Sequence, residues 1–268
     1  MASTKIDEPT APTHFYKYRP MSSPEAIERV EQILLRDEIF FAPSSSFNDP
    51  FDLNPVFLLD ASVEKQRDDF LRLSRKFRPD LSDEKHLAEA DRVMKTSLSP
   101  SDIEVTTNTI QREHQRAMST LVGTFCVSEK CDDLLVWAHY ADSHRGVCLE
   151  FDGFGALMAH AQKVNYQSTR QPINPYVDDR DAMLTKALLT KSEHWNYEVE
   201  WRLLRVDEGP GLVRFRPNNL TGVVVGALAT NETIRTLKNW ASKRFVPLKM
   251  YRARTSNKEF KLLVAPFN

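Results

Sequence analysis

Glycine is confined to the middle of this 268-residue chain: none of the eight precedes Gly123 and none follows Gly226. Glycine supplies left-handed backbone turns at low cost, so the first 122 residues must turn on Pro, Ser, Asn and Asp instead. Long helices suit that half, and the tighter strand connections fall in the second. Residues 1–13 read as a flexible polar tail. Residues 14–268 read as a single α+β domain with one main core, carrying a highly charged helical insertion at about 61–120.

Local patterns give the order of elements. Phe15-Tyr-Lys-Tyr-Arg19 is a short aromatic strand stopped by Pro20, and Ser22 with Glu25 has capping-box spacing ahead of Ile27, Val30, Ile33 and Leu34. Ile39–Ala42 is a second strand, and Pro43–Pro50 is a loop. In the insertion, interruptions fall at Asp80–Asp83 and Ser97–Asp102, with Phe70, Leu71, Leu73 and Phe77 as a buried stripe. Leu121–Ser128 reads as a buried strand, and Asp132 or Asp133 caps a helix through Leu134 and Trp137. Gly146–Phe151 is a strand, and Phe154, Leu157, Met158 and Ala161 suggest a short helix. Residues 179–192 read as helix, and Tyr197–Val206 forms a hairpin with Leu212–Phe215. Val223–Val225, a helix over 231–243, Val246–Tyr251 and Phe260–Val264 complete a mixed sheet.

Composition removes several function classes. Lys+Arg number 36 against 37 Asp+Glu, a net charge of -1 that gives no general attraction to nucleic acid or anionic membrane. No stretch approaches the ~18 apolar residues needed to span a bilayer, and the polar N-terminus lacks the core of a secretory signal. Three cysteines, Cys126, Cys131 and Cys148, do not make a closed disulfide framework, which places the chain in the cytoplasm.

Two clusters carry the candidate chemistry. The first is Trp137-Ala-His-Tyr-Ala-Asp-Ser-His-Arg-Gly146, where helix-borne His139 and Tyr140 lead into a loop with Ser143, His144 and Arg145. The second is Trp195-Asn-Tyr-Glu-Val-Glu-Trp-Arg202. On a strand, Glu198, Glu200 and Arg202 project from one face and Val199, Trp201 and Leu203 from the core face. Those charges form either a surface ion-pair ladder or a cleft lining. Cys126, Cys131, His139 and His144 have zinc-like gaps within each pair but too short a separation between pairs, so no metal is expected. Walker, dinucleotide-binding, hydrolase-elbow and zincin motifs do not occur in the sequence.

The blocks Tyr16-Lys-Tyr-Arg19, Phe47-Asn-Asp-Pro-Phe-Asp52, Phe125-Cys-Val-Ser-Glu129, Trp137-Ala-His-Tyr140, Arg145–Phe151 and Glu200-Trp-Arg202 together resemble the bacterial family DUF2971 over roughly residues 14–265. More distantly, the chain resembles the ADP-ribosyltransferase fold, which binds NAD in a cleft between two small sheets. That resemblance implies an α+β fold with a mixed or antiparallel split sheet and surrounding helices. In its arginine-type branch a basic residue, a Ser-containing strand and an E-x-E follow in order, as Arg19, Ser128 and Glu198-Val-Glu200 do here. It implies that Arg19 holds NAD phosphates or ribose, Ser128 supports the cleft, Glu200 is the catalytic carboxylate and Glu198 orients the acceptor. Val127-Ser-Glu129 departs from the Ser-Thr-Ser pattern. A tyrosine-type site, with Tyr16 or Tyr18 and Tyr140 stacking on the ligand, is equally open, and Trp137 and His139 would join it.

The implied activity is an NAD-dependent ADP-ribosyltransferase or NAD glycohydrolase, acting as a bacterial toxin or phage-defence effector. Its partners would be NAD, an acceptor protein or nucleic acid, and a cognate neutralising protein. Two other readings use the same residues: a non-enzymatic partner-binding module, and a metal-dependent nuclease or phosphodiesterase built on His139, His144, Glu150 and the Glu198/Glu200 pair.

Overall fold

The computed structural model describes residues 12–95 and 100–267. Residues 1–11 of the expected tail and residues 97–99 of the second expected interruption lie outside them. In chain order the elements are β1 (His14–Arg19), α1 (Pro24–Arg36), β2 (Glu38–Phe41), β3 (Val56–Phe57), α2 (Val63–Phe77), α3 (Asp83–Lys95), α4 (Pro100–Leu121), β4 (Val122–Ser128), α5 (Leu134–Tyr140) and β5 (Val147–Asp152). They continue with β6 (Gln162–Lys163), β7 (Asn165–Gln167), β8 (Pro172–Ile173), α6 (Arg180–Leu188), β9 (Thr190–Ser192), β10 (Glu200–Val206), β11 (Gly211–Arg214), β12 (Leu220–Val225), α7 (Asn231–Ser242), β13 (Lys249–Thr255) and β14 (Leu262–Pro266). The class is mixed α and β, with a large mixed sheet.

The chain divides into two compact units. The first takes the described residues up to Ser46, Ser119–Tyr166 and Glu193 onward, and contains an eight-stranded sheet in the order β14-β13-β12-β5-β1-β4-β10-β6. Within it β12 and β13 pair in parallel, linked through α7, and the other neighbours pair antiparallel. The β1–β5 ladder is continuous from His14↔Asp152 to Arg19↔Val147, whereas β1 and β4 register only at Tyr16↔Ser128. The sheet therefore forks beyond that pair, and Lys17 reaches across the fork to donate to the Cys126 carbonyl at 2.7 Å.

One face of the sheet packs on α1 and α7. Phe15, Phe125, Val127, Leu149, Phe151 and Val223 meet Val30, Ile33 and Leu34 of α1 and Leu237 and Trp240 of α7. The opposite face carries a smaller cluster in which Val136, Trp137 and Ala141 pack on Tyr18, Cys148 and Val224. Alternation along each strand separates the two sets, so both faces of the central strands are covered in part.

Most local expectations hold, and the departures have physical causes. Ser23, not Ser22, caps α1: its hydroxyl accepts from the Ala26 amide at 3.2 Å, and Pro24 in the first helical position favours an extended residue before it. Asp133 caps α5, accepting from the Leu135 and Val136 amides. The helix expected after Phe154 is only a short 3-10 turn at Met158–His160. The predicted 179–192 helix ends at Leu188, and β9 follows. The predicted hairpin does not form: β11 pairs with β2, and β10 is occupied by β4 on one side and by β6 at Trp201 and Arg202 on the other.

The second unit comprises Phe47–Met118 and Gln167–Ser192. The helical segment is thus part of a larger body that also takes in α6 and the parallel β3–β8 pair. Of the expected stripe on α2, Leu71 is buried but Leu73 and Phe77 are exposed. The inward face is completed by a polar contact instead, Ser74 Oγ to His86 Nδ1 at 2.8 Å beside buried Ala90. Within this unit Lys191 and Asp52 form a buried ion pair at 3.5 Å, and Asp49 accepts from the Phe51 amide at 2.9 Å.

Candidate functional site

The fork places four residues in one cross-strand row. Glu150, Tyr16, Ser128 and Glu200 stand opposite one another in turn on β5, β1, β4 and β10. Directly paired residues share a face, so all four belong to the face that carries α5. Glu150, Ser128 and Glu200 are buried, and Tyr16 is partly so. A row of buried polar groups across the centre of a sheet is costly unless each is bonded.

The bonds are present. Ser128 donates to the Glu198 carbonyl at 2.6 Å and accepts from the Lys130 amide at 3.1 Å. Glu150 accepts from Thr221 at 2.7 Å. Glu200 and Arg202, two positions apart on β10 and both buried, are joined at 2.8 Å between Nε and Oε1. The expected alternation of Glu200 and Arg202 against Trp201 and Leu203 is what the strand adopts, as a buried pair rather than a surface ladder.

Glu198 is not on the strand. It ends a 3-10 turn at Glu193–Glu198, and Val199 takes a left-handed φ of 43° before β10 begins. Without that kink, strict alternation would put both glutamates on one ladder. With it, the Glu198 backbone is held by Ser128 while its side chain turns to α5, where Tyr140 donates to Oε1 at 2.6 Å. His139 lies 2.9 Å from Tyr197 Oη through Nδ1, and its ring makes edge contacts with Tyr140, Trp195 and Tyr197 at 6.0–6.2 Å between centroids. Tyr166 Oη accepts from the Glu200 amide at 2.8 Å. The result is a pair of anchored carboxylates beside an aromatic wall of His139, Tyr140, Trp195 and Tyr197.

Other predicted site residues sit elsewhere. Trp137 is fully buried, donates to the Cys131 carbonyl at 2.8 Å and meets Tyr18 edge-on, so it packs under the site with no surface for a ligand. Tyr18 is also buried and donates to the Lys130 carbonyl at 2.7 Å. Arg19 stands opposite Val147, an odd step from Tyr16, and therefore lies on the α1 face, away from Glu200. Its Nε is buried without a hydrogen-bond partner, and burial followed by the nearby Arg29 lowers its pKa to about 10. Burial also holds Lys17 down, at about 8, with Arg19 adding to the effect and Glu200 and Glu198 opposing it. The Tyr16 phenol is raised, first by burial and then by Cys131 and Glu150.

The loop after α5 is closed by its own backbone hydrogen bonds. Asp142, Ser143 and His144 take consecutive left-handed conformations, held by amide bonds from Ser143 to Ala138, His144 to Trp137 and Gly146 to Ala141. The His144 ring stacks on Trp137, and burial lowers its pKa. Among the described residues no three His, Cys, Asp or Glu side chains come together as metal ligands. Cys126, Cys131 and Cys148 are free thiols, each raised by burial, with Cys131 at about 11.

Residues 136–203 match a family model described as Protein of unknown function (DUF2971). The matched quarter of the chain runs from the buried Val136 of α5 to Leu203 of β10, and so holds the aromatic wall, Glu198 and Glu200. It supports the family resemblance read from the sequence blocks. No curated protein and no solved structure matches the chain. Among the described residues no helix is long and apolar enough to cross a membrane.

Two residues of the site, Tyr197 and Tyr166, had no assigned role in the sequence. Tyr197 had a signal, since it adjoins Glu198 inside the densest aromatic block. Tyr166 had none, because it acquires its role from the Glu200 amide on a different strand.

Proposed function

We propose that the chain is an NAD-cleaving enzyme, an ADP-ribosyltransferase or NAD glycohydrolase, whose site is the α5 face of the fork. The observation that carries this reading is the row Tyr16–Ser128–Glu200 on the adjacent strands β1, β4 and β10. The serine and the glutamate follow in the order the resemblance implies, while the place it gives to a basic residue is taken by Tyr16. The tyrosine-type arrangement is thereby favoured over the one built on Arg19, which lies on the other face.

The chemistry follows from the groups present. The bond between the ribose C1′ and the nicotinamide nitrogen breaks, and its electron pair leaves with neutral nicotinamide. The ribose is left with oxocarbenium character, as in glycoside cleavage. A buried carboxylate already oriented by Arg202 faces developing positive charge without first having to shed water, which is where such groups contribute most. Glu200 takes that role. Glu198, held by Tyr140, orients the acceptor and takes its proton as the oxygen or nitrogen nucleophile bonds to C1′. The tyrosines and His139 offer ring surfaces to nicotinamide or adenine. Water as acceptor gives hydrolysis, and a protein or nucleic acid gives transfer.

The test is NAD binding and nicotinamide release by purified protein, with and without lysate as acceptor, comparing wild type with Glu200→Gln, Glu198→Gln and Tyr140→Phe. Glu200→Gln is expected to lower turnover by about a hundredfold or more with NAD binding retained. Absence of NAD binding at millimolar ligand would end the proposal. The effector role belongs to the same reading: expression in a bacterial host should deplete NAD and slow growth, and Glu198→Gln should relieve both.

A further inference from the structure

Charge is segregated along this chain in a way its total conceals. Residues 231–268 hold nine Lys and Arg but only Glu232 and Glu259 as acids, a net +7 in a chain whose formal charge is -1. These residues build α7, β13 and β14, so the surplus is gathered at one edge of the eight-stranded sheet. Arg244 is used internally, paired with Asp37 at 2.9 Å, and Lys261 pairs with Glu259. Arg235, Lys238, Lys243, Lys249, Arg254 and Lys258 are exposed.

The same edge carries a groove of about 580 Å³ lined by Lys238, Ser242, Leu248, Lys249, Met250 and Phe267, among others. Phe267 lies between two cations, with Lys238 Nζ 4.8 Å and the Arg252 guanidinium 5.7 Å from its ring centre. Two more aromatic rings stand in solvent: Phe245 and Phe260 are 99% and 101% exposed. They precede and follow β13, a strand of seven residues that spans about 23 Å at 3.3 Å per residue. Phe245 adjoins the groove lining near Pro247, and Phe260 stands on the turn between β13 and β14 at the other end of the strand. A fully exposed phenylalanine contributes nothing to folding through burial and is available to an external partner.

We infer that this edge binds single-stranded nucleic acid. Cations that track a phosphate chain, interleaved with aromatic faces on which bases stack, are the elements of sequence-tolerant single-strand binding. An acidic peptide would satisfy the charges but supplies no regular series of flat rings for Phe245 and Phe260. A bilayer would meet protruding side chains but would not enter a groove. The inference stands apart from the NAD-cleaving reading and survives or fails without it.

The test is fluorescence anisotropy with labelled oligo-dT and oligo-rU of roughly twenty nucleotides, titrated from about 50 mM salt upward. Wild type should bind with an affinity that falls steeply with salt. The double variant Lys238→Glu, Lys249→Glu should bind at least about tenfold more weakly and lower the log–log salt slope by about 1.4, two phosphate contacts. Phe260→Ala should weaken binding about tenfold with the salt slope unchanged, because stacking is lost and no charge is. All these positions are exposed, and thermal melts should match wild type. No binding at about 100 µM protein, unchanged binding by the variants, or stronger binding to polyglutamate or to phosphatidylserine vesicles than to the oligonucleotides would overturn the inference.

Discussion

Ser128 donates its hydroxyl hydrogen to the Glu198 carbonyl oxygen at 2.6 Å, tying together residues 70 positions apart. Both groups are buried, and the same hydroxyl accepts from the Lys130 amide. Ser128→Ala strands the carbonyl and that amide, so urea unfolding should show a loss of about 1–3 kcal/mol. Nicotinamide release should fall further than this destabilisation alone accounts for, because the kink that presents Glu198 is no longer pinned. Ser128→Ala with unchanged stability would show that the hydroxyl has no structural role.

The Glu200–Arg202 pair predicts strong non-additivity. Breaking a buried pair from one side leaves an uncompensated charge, so Glu200→Leu and Arg202→Met should each cost about 3–5 kcal/mol. The double variant should recover much of that loss, since neither charge then remains unpaired. Chemical denaturation of the four proteins supplies the cycle, and simple additivity would contradict the pairing.

Lys17 predicts a pH dependence of definite sign. Its pKa falls from 10.5 to about 8 in the folded chain, chiefly through burial. Between those values the unfolded chain binds more protons than the native one, so this group makes stability rise with pH across that window. Below it the charged amine carries its full cost. The melting-temperature difference, Lys17→Met minus wild type, should therefore be most positive below pH 8 and shrink toward pH 10, with other titrating groups cancelling. Parallel profiles would overturn the assignment.

Ser143 is the middle of three consecutive left-handed residues, with φ of 49°. A left-handed L-residue costs roughly 1–2 kcal/mol, part of which glycine would return as chain entropy in the unfolded state. Ser143→Gly should raise stability by about 0.5–1 kcal/mol in thermal and urea unfolding. A loss would mean that the Ser143 side chain does more than tolerate the turn.

Much of the local structure could be read directly. Pro20 stops β1, Asp133 caps α5, and the alternation from Glu200 to Leu203 separates a charged face from a core face, all through interactions within a few residues. The site was legible as two dense blocks, 137–146 and 195–202, though not as a geometry. Trp137 looked available to a ligand because nothing local reveals that the Cys131 carbonyl takes its N–H and Tyr18 covers its ring.

What the sequence by itself determined was therefore element type, capping and which side chains of a strand share a face, since these depend on propensity and period. Tertiary structure decided register and partnership. Tyr16, rather than Arg19, lines up with Ser128 and Glu200 because β4 docks on β1, and β10 on β4, each in one particular register, and a shift of one residue would have exchanged the faces. It decided equally that β11 joins β2 rather than β10, a pairing between segments more than 160 residues apart. Pairings between strands a hundred residues apart are selected by the burial of whole faces at once, and no window of the sequence contains that information.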